Sequence, residues 1–235
     1  MPRLKIIRAG TFHPWLGVFE TIRVIGGRPL FVEEHWQSLR CSCAVLGLKR
    51  PHDFRSYCAK LPAADGRWRW VIGPEGASHS FQREKPAAPT ALSLLPCDVR
   101  VGSKNWDARH KTLSYLAHWQ ARRANPAGES LLRNERGEIA GGAMTNIFWV
   151  RRGRVFTPDE TCGCRAGVVR GWMLDRMAVR RVRSRPAVLD AADEIFVTNS
   201  MLGIRPVRRW NGRALAVGPI TRELRRAYAR AVRQA

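Results

Sequence analysis

Residues 137–148 read Gly-Glu-Ile-Ala-Gly-Gly-Ala-Met-Thr-Asn-Ile-Phe. An apolar alternating approach, a run of small residues and Thr145-Asn146 ahead of Ile147-Phe148 specify two strand segments around a tight bend. Small side chains at such a bend let the backbone come close to a bound ligand. Lys111 stands upstream of this stretch, and a second small-residue turn, Gly167-Val168-Val169-Arg170, opens a helix downstream. What those flanks contribute depends on the order of elements around them.

The first half reads as strands at residues 4–7, 18–25 and 29–32, with a loop over 10–15 and a hairpin turn at Gly26-Gly27. A helix opens at Glu33-Glu34 and ends at Gly47, with Trp36, Leu39, Cys43 and Leu46 on one core-facing stripe. A second helix is expected over 53–60 and strands over 68–72 and 91–95. A polar loop with Gly73, Gly76, Pro86 and Pro89 separates those two strands. In the second half, Lys111 is expected to begin a helix that runs to about Asn125. Hairpins turn at Arg136-Gly137 and Arg152-Gly153, and a helix follows Gly167. Strands lead into Asn199-Ser200 and the Asn211-Gly212 turn, and a last helix covers 219–233.

Composition narrows the setting. At 235 residues the chain has room for one large or two small cores. No window resembles a signal peptide or a membrane span. The six cysteines therefore read as buried thiols of a cytoplasmic protein. Cys162-Gly163-Cys164 lacks the second ligand pair of a zinc site, so no metal is expected. The net charge of +22 points to an anionic partner. All but six of the 41 basic residues are arginine, spread along the chain. No helix-turn-helix, zinc finger or aromatic RNA-binding strand accompanies them, which favours a small anionic substrate over nucleic acid.

Several segments, in order, resemble a known family. Gly17-Val18-Phe19-Glu20-Thr21-Ile22-Arg23, Gly26 to Leu30 and His35 look like the opening of the class IV aminotransferases, the pyridoxal-phosphate enzymes of fold type IV. Thr145-Asn146-Ile147-Phe148, Ala166 to Leu174 and Val197-Thr198-Asn199-Ser200 continue the pattern, which extends to Val207. The resemblance implies an α/β (α+β) fold of two domains like D-amino-acid aminotransferase. An N-terminal domain over 1–98 and a connection over 99–110 would precede a C-terminal domain over 111–235, with the cofactor cleft between the domains.

The same resemblance assigns roles. Lys111 matches the Schiff-base lysine, and a place at a helix start would help keep its amine free. Gly167, Val168, Val169 and Ser200 match the phosphate cradle, with Thr145 and Asn146 beside the cofactor. Arg23 and Arg205 would bind substrate carboxylates. Two positions depart from the pattern. Ser38 stands where the family has a phosphate-binding arginine, offering one hydroxyl in place of a charged fork. Gly141 stands where an acid pairs with the pyridine nitrogen. Glu138, three residues earlier, should face the other way.

Within the family, the short length and the segments around Glu20 and Ser200 look most like aminodeoxychorismate lyase. That enzyme releases pyruvate to give 4-aminobenzoate for folate synthesis. Lys111 would then take the α-proton and later return one to the product, in a homodimer holding pyridoxal phosphate. Two alternatives stay open: an amino-acid aminotransferase, and a paralogue that keeps the fold but binds the cofactor weakly or not at all. An arginine-rich nucleic-acid or anion binder on the same fold would announce itself by salt-dependent binding.

Overall fold

The computed structural model describes residues 16–49, 54–85 and 92–234. The strand expected at 4–7, the loop at 10–15 and residues 53, 86, 89 and 91 lie outside them.

The chain builds two sheets. The first has the order β2-β1-β3-β4, from β1 (Val18–Ile25), β2 (Arg28–Pro29), β3 (Gly66–Gly73) and β4 (Gly76–Arg83). Gly26 and Gly27 turn the first hairpin with φ of 55° and 85°, a left-handed pair that costs glycine little. Helix α1 (Val32–Val45) crosses this sheet. Its Trp36, Leu39 and Cys43 pack on Val18, Ile22, Trp68 and Trp70, the stripe that the periodicity marks. Three details differ from expectation. β2 is two residues long, because α1 already begins at Val32. Residues Phe54–Lys60 form 3-10 turns rather than an α-helix. β4 occupies ground expected to be loop: Gly-Ala-Ser-His-Ser-Phe-Gln-Arg has no apolar alternation, yet it pairs along its whole length with β3.

The second sheet takes β5 (Leu92–Val101), β6 (Glu129–Asn134), β7 (Ile139–Gly142), β8 (Asn146–Arg151), β9 (Arg154–Pro158), β10 (Val179–Val182), β11 (Glu194–Asn199), β12 (Gly203–Trp210) and β13 (Arg213–Ala214). Its order is β10-β9-β8-β11-β12-β5-β6-β7, with β13 on β12. The edges curl toward each other, for the Ile139 N–H donates to Ser184 O just beyond β10. Along β8 the residues alternate between two apolar cores. Ile147 and Trp149 pack with Leu94, Leu131 and Val207, while Phe148 and Val150 pack with Val169, Trp172 and Tyr228. Helices α4 (Val168–Arg176) and α5 (Pro219–Gln234) cover the second of these cores.

The chain changes sheet between β4 and β5. Leu92–Val101, assigned by sequence to the N-terminal side and the connection, hydrogen-bonds between β12 and β6 in the larger sheet. Helices α2 (Trp106–Arg109) and α3 (Leu116–Ala124) follow it. Lys111 lies in the extended segment between them, not at a helix start. Its carbonyl accepts from Phe19 N–H, and Thr112 bridges Val18. This single bridge, with the main-chain bonds beside it, joins the segment to β1 and ties the two sheets together at the lysine.

Candidate functional site

A narrow hollow, about 70 Å³, opens between the two sheets. Lys111, Ser38, Thr145, Asn146, Gly167, Val168, Val169 and Ser200 all border it. These residues come from α1, the Lys111 segment, the β7–β8 bend, the start of α4 and the end of β11. Four stretches far apart in sequence thus converge on one lysine.

The α4 end is built for an anion. Gly167 precedes the helix with φ −75° and ψ 147°, and no side chain caps the first-turn amides. Free N–H groups at a helix start, reinforced by the helix dipole, receive phosphate or carboxylate. Glycine is required at 167 because a Cβ there would run into Asn146 Oδ1. Asn146 in turn donates to Arg165 O at 2.7 Å, so its amide fixes the loop ahead of α4. Arg170 points away from the hollow, donating to Glu160 at 2.6 Å and to Pro158 O at 2.9 Å.

At the α1 end stands a residue whose role its sequence context does not reveal. Glu20, 3% exposed on β1, accepts from Ser38 Oγ at 2.7 Å and His35 Nδ1 at 2.9 Å. Its Oε2 lies 3.7 Å from Lys111 Nζ. Burial would raise this carboxyl, but the Lys111 charge and the bonds from His35 and Ser38 outweigh burial and hold it down to about 2. Ser38 therefore spends its proton on Glu20. It stands in the hollow but offers an anion only lone pairs, unlike the donor expected from sequence.

The β7–β8 bend closes the floor. Gly142 N–H donates to Thr145 O at 2.8 Å, and Gly141 adopts φ 156° with Thr145 O 3.3 Å from where a Cβ would sit. Glu138 does face away: Arg136 and Asn134 hold its carboxylate outside the hollow. Glu75 at the β3–β4 turn and Asp107 on α2 do not border the hollow either. His118 of α3 does, donating from Nδ1 to Ala143 O at 2.8 Å. Burial, with the Arg165 charge, pushes the His118 imidazole down to about 4, so it is neutral near pH 7.

Thr198 Oγ1, His35 Nε2 and His118 Nε2 are closed off from solvent without a hydrogen-bond partner, and all three residues border the hollow. Orphaned polar atoms around a cavity with a free helix start suit a polar, phosphorylated ligand. The walls thus suit pyridoxal phosphate, since the free α4 start, Ser200 and Lys111 border the same hollow. Thr198 and His118 carry no sequence signal of their own: an inward threonine on a strand and a histidine on a helix look alike in core and site.

A second hollow continues outward from Lys111, Arg165 and Ser200 and is rich in positive charge, with Arg23, Arg69 and Arg122 along it. Arg23 sits on the face of β1 opposite Glu20 and borders this outer space. Arg205 is 7% exposed on β12 and does not border it; burial, then Arg225 and Arg23, lower its pKa. The two arginines expected to hold substrate are thus neighbours, with only Arg23 at the opening. Among the described residues no group of His, Cys, Asp and Glu is placed to hold a metal ion. No described helix is long and apolar enough to cross a membrane.

Comparison with known proteins agrees with this geometry. An aminodeoxychorismate lyase of Bacillus subtilis is 27% identical over 224 residues, covering 81% of this chain and 76% of that protein. A branched-chain-amino-acid aminotransferase of Pseudomonas aeruginosa is 32% identical over 111 residues, 43% of this chain and 36% of that protein's length. An aminotransferase from Brucella abortus, solved bound to PLP, shares the fold with a TM-score of 0.83 at 19% identity, over 99% of this chain and 95% of its own. Residues 17–210 match the family described as amino-transferase class IV, so the chain belongs to the class IV aminotransferases.

Proposed function

We propose that this chain is a pyridoxal-phosphate lyase of the aminodeoxychorismate lyase type, releasing pyruvate from an amino compound with two carboxylates. The observation that carries the reading is the position of Lys111. Its amine stands where the anion-cradling inner hollow meets the arginine-lined outer one. The lyase of Bacillus subtilis, similar over most of both chains, supports the same choice.

When bound, the cofactor supplies a ring that takes up the electron pair left as a proton leaves the carbon bearing the amine. The protein's part is positional and acid–base. The α4 amides and Ser200 would anchor the phosphate, and Arg23 would meet a carboxylate at the opening. Lys111 would take the proton at that carbon and give one back before the product leaves. Glu20 keeps the lysine end of the hollow charged and fixed, and the buried walls exclude water.

The products of this reading are pyruvate and 4-aminobenzoate, an intermediate for folate, made by a homodimer in the cytoplasm. A branched-chain or other amino-acid aminotransferase is the second reading, favoured by the local similarity to the Pseudomonas aeruginosa enzyme. Coupling product formation to lactate dehydrogenase tests the first. Pyruvate released from 4-amino-4-deoxychorismate by the wild type and not by Lys111→Ala is the expected result. Amino transfer from an amino acid to 2-oxoglutarate, with no pyruvate from the lyase substrate, would replace the lyase with the aminotransferase.

A further inference from the structure

We infer that Arg165 supplies the phosphate-binding charge that Ser38 cannot, reaching the cofactor phosphate from the α4 side of the hollow instead of from α1. The inference rests on the cofactor reading above.

Two hollows meet along the groove between α1 and α4. Ser38, Lys111, Ala166, Gly167 and Val168 border both, and so does Arg165. This set holds Ser38, Gly167 and Val168 of the expected cradle and adds one cation, Arg165. Arg165 also borders the outer basic hollow, a distinction it shares with Lys111. It lies two residues before Gly167, and its carbonyl is pinned by Asn146 Nδ2 and Gly167 N–H, so its backbone is fixed relative to the α4 amides.

Arg109 and Arg176 border the groove but not the inner hollow, and the remaining cations at this end are committed. Lys111 faces Glu20, and Arg170 is bound to Glu160. Among the described residues, Arg165 makes no ion pair with a carboxylate. Its guanidinium rests on neutral oxygens, Tyr115 Oη at 3.2 Å and His110 O at 3.4 Å. Its Nε–H is shielded from solvent and has no partner. A half-buried guanidinium held by two long neutral contacts and one vacant donor is poised to exchange them for charge-assisted bonds. Its field already reaches inward, since its charge contributes to the lowered pKa of both His110 and His118.

The need for this charge comes from Glu20. A phosphate settling between Gly167 and Ser38 approaches a carboxylate whose hydrogen bond from Ser38 leaves no donor there. Helix-start amides contribute only partial charge. A full cation on the α4 side offsets the repulsion.

The test compares cofactors that differ only in phosphate. Wild type, Arg165→Gln and the double variant Ser38→Arg/Arg165→Gln are titrated with pyridoxal phosphate and with pyridoxal, following absorption and tryptophan fluorescence. The expected result is a loss of about tenfold in pyridoxal-phosphate affinity in Arg165→Gln. Pyridoxal affinity should stay unchanged, inorganic phosphate should compete less well than in wild type, and the double variant should regain the loss. Equal losses for both compounds would mean that Arg165 holds Tyr115 or the ring, and would overturn the inference. Unchanged binding with a raised KM for an anionic substrate would assign Arg165 to the substrate carboxylate and overturn it too. A wild type that captures neither compound at Lys111 defeats the cofactor reading itself, and this shows before any Arg165 variant is made.

Discussion

Replacing Glu20 by Gln keeps the side-chain shape and removes one charge at the point where the two sheets meet. The carboxyl falls from an ordinary 4.5 to about 2 on folding, against the upward push of burial. That difference corresponds to about 3 kcal/mol of stability when the group is ionised in both states. Direct Coulomb attraction at the 3.7 Å Lys111 separation is of the same order, about 4 kcal/mol at an effective dielectric constant near 20. Gln keeps an acceptor for Ser38 but turns an amide donor toward His35 or Lys111. A loss of about 2–3 kcal/mol at pH 7 is therefore expected, read as a lower urea midpoint with an unchanged slope. The pH dependence follows from the depressed value. Between 4.5 and 2 the unfolded chain binds a proton that the folded one refuses, so the wild-type advantage is full above about 4.5 and fades as pH falls toward 2. By pH 3 roughly 1 kcal/mol of it remains. Equal urea midpoints at pH 7, or a gap of the same size at pH 3, would refute the electrostatic role given to Glu20.

Other perturbations probe separate parts of the site. His118 is held neutral, down to about 4 from 6.5, so its contribution is full above 6.5 and lost as pH drops toward 4. His118→Gln should flatten the fall in melting temperature across that window. Gly167→Ala sets a Cβ against Asn146 Oδ1, whereas a Cβ at Gly171, one turn into α4, meets nothing within 4 Å. The first should cost about 1–3 kcal/mol in urea unfolding and weaken cofactor capture, and the second should stabilise by about 0.5–1 kcal/mol. Arg170→Met removes a cation that is 1% exposed and bound to Glu160 at 2.6 Å. It should lower stability by about 3 kcal/mol, while leaving the affinity ratio of pyridoxal phosphate to pyridoxal as in wild type.

Much of the architecture is legible where a turn demands unusual backbone angles. Gly26-Gly27, Arg152-Gly153 and Asn211-Gly212 all take positive φ at both residues, and each hairpin is found where its sequence places it. The helix after Gly167 is equally plain, since small residues and an apolar stripe agree there. β4 is not legible, because it is held by main-chain pairing with β3 and by His79 and Phe81 against the β3 tryptophans, while most of its side chains are exposed. Lys111 looks like a helix start from local propensity, yet pairing with β1 holds it extended. Of the site, the residues at the α4 start, the β7–β8 bend and Ser200 are marked by motif. Glu20, Thr198, His118 and Arg165 acquire meaning only from what stands around the same hollow, many residues away in sequence. Ser38 shows the limit most clearly: its type suggests a donor to phosphate, and its actual acceptor, Glu20, is 18 positions upstream on another element.

The chain has six lysines, and among the described residues Lys111 alone of them borders both hollows. Incubating the protein with pyridoxal phosphate, reducing with borohydride and mapping the labelled peptide by mass spectrometry tests that placement directly. One stable label on the Lys111 peptide, absent from Lys111→Ala, is the expected outcome. A label spread over Lys49, Lys60, Lys85 and Lys104, or no label at all, would contradict the assignment of this hollow as a cofactor site.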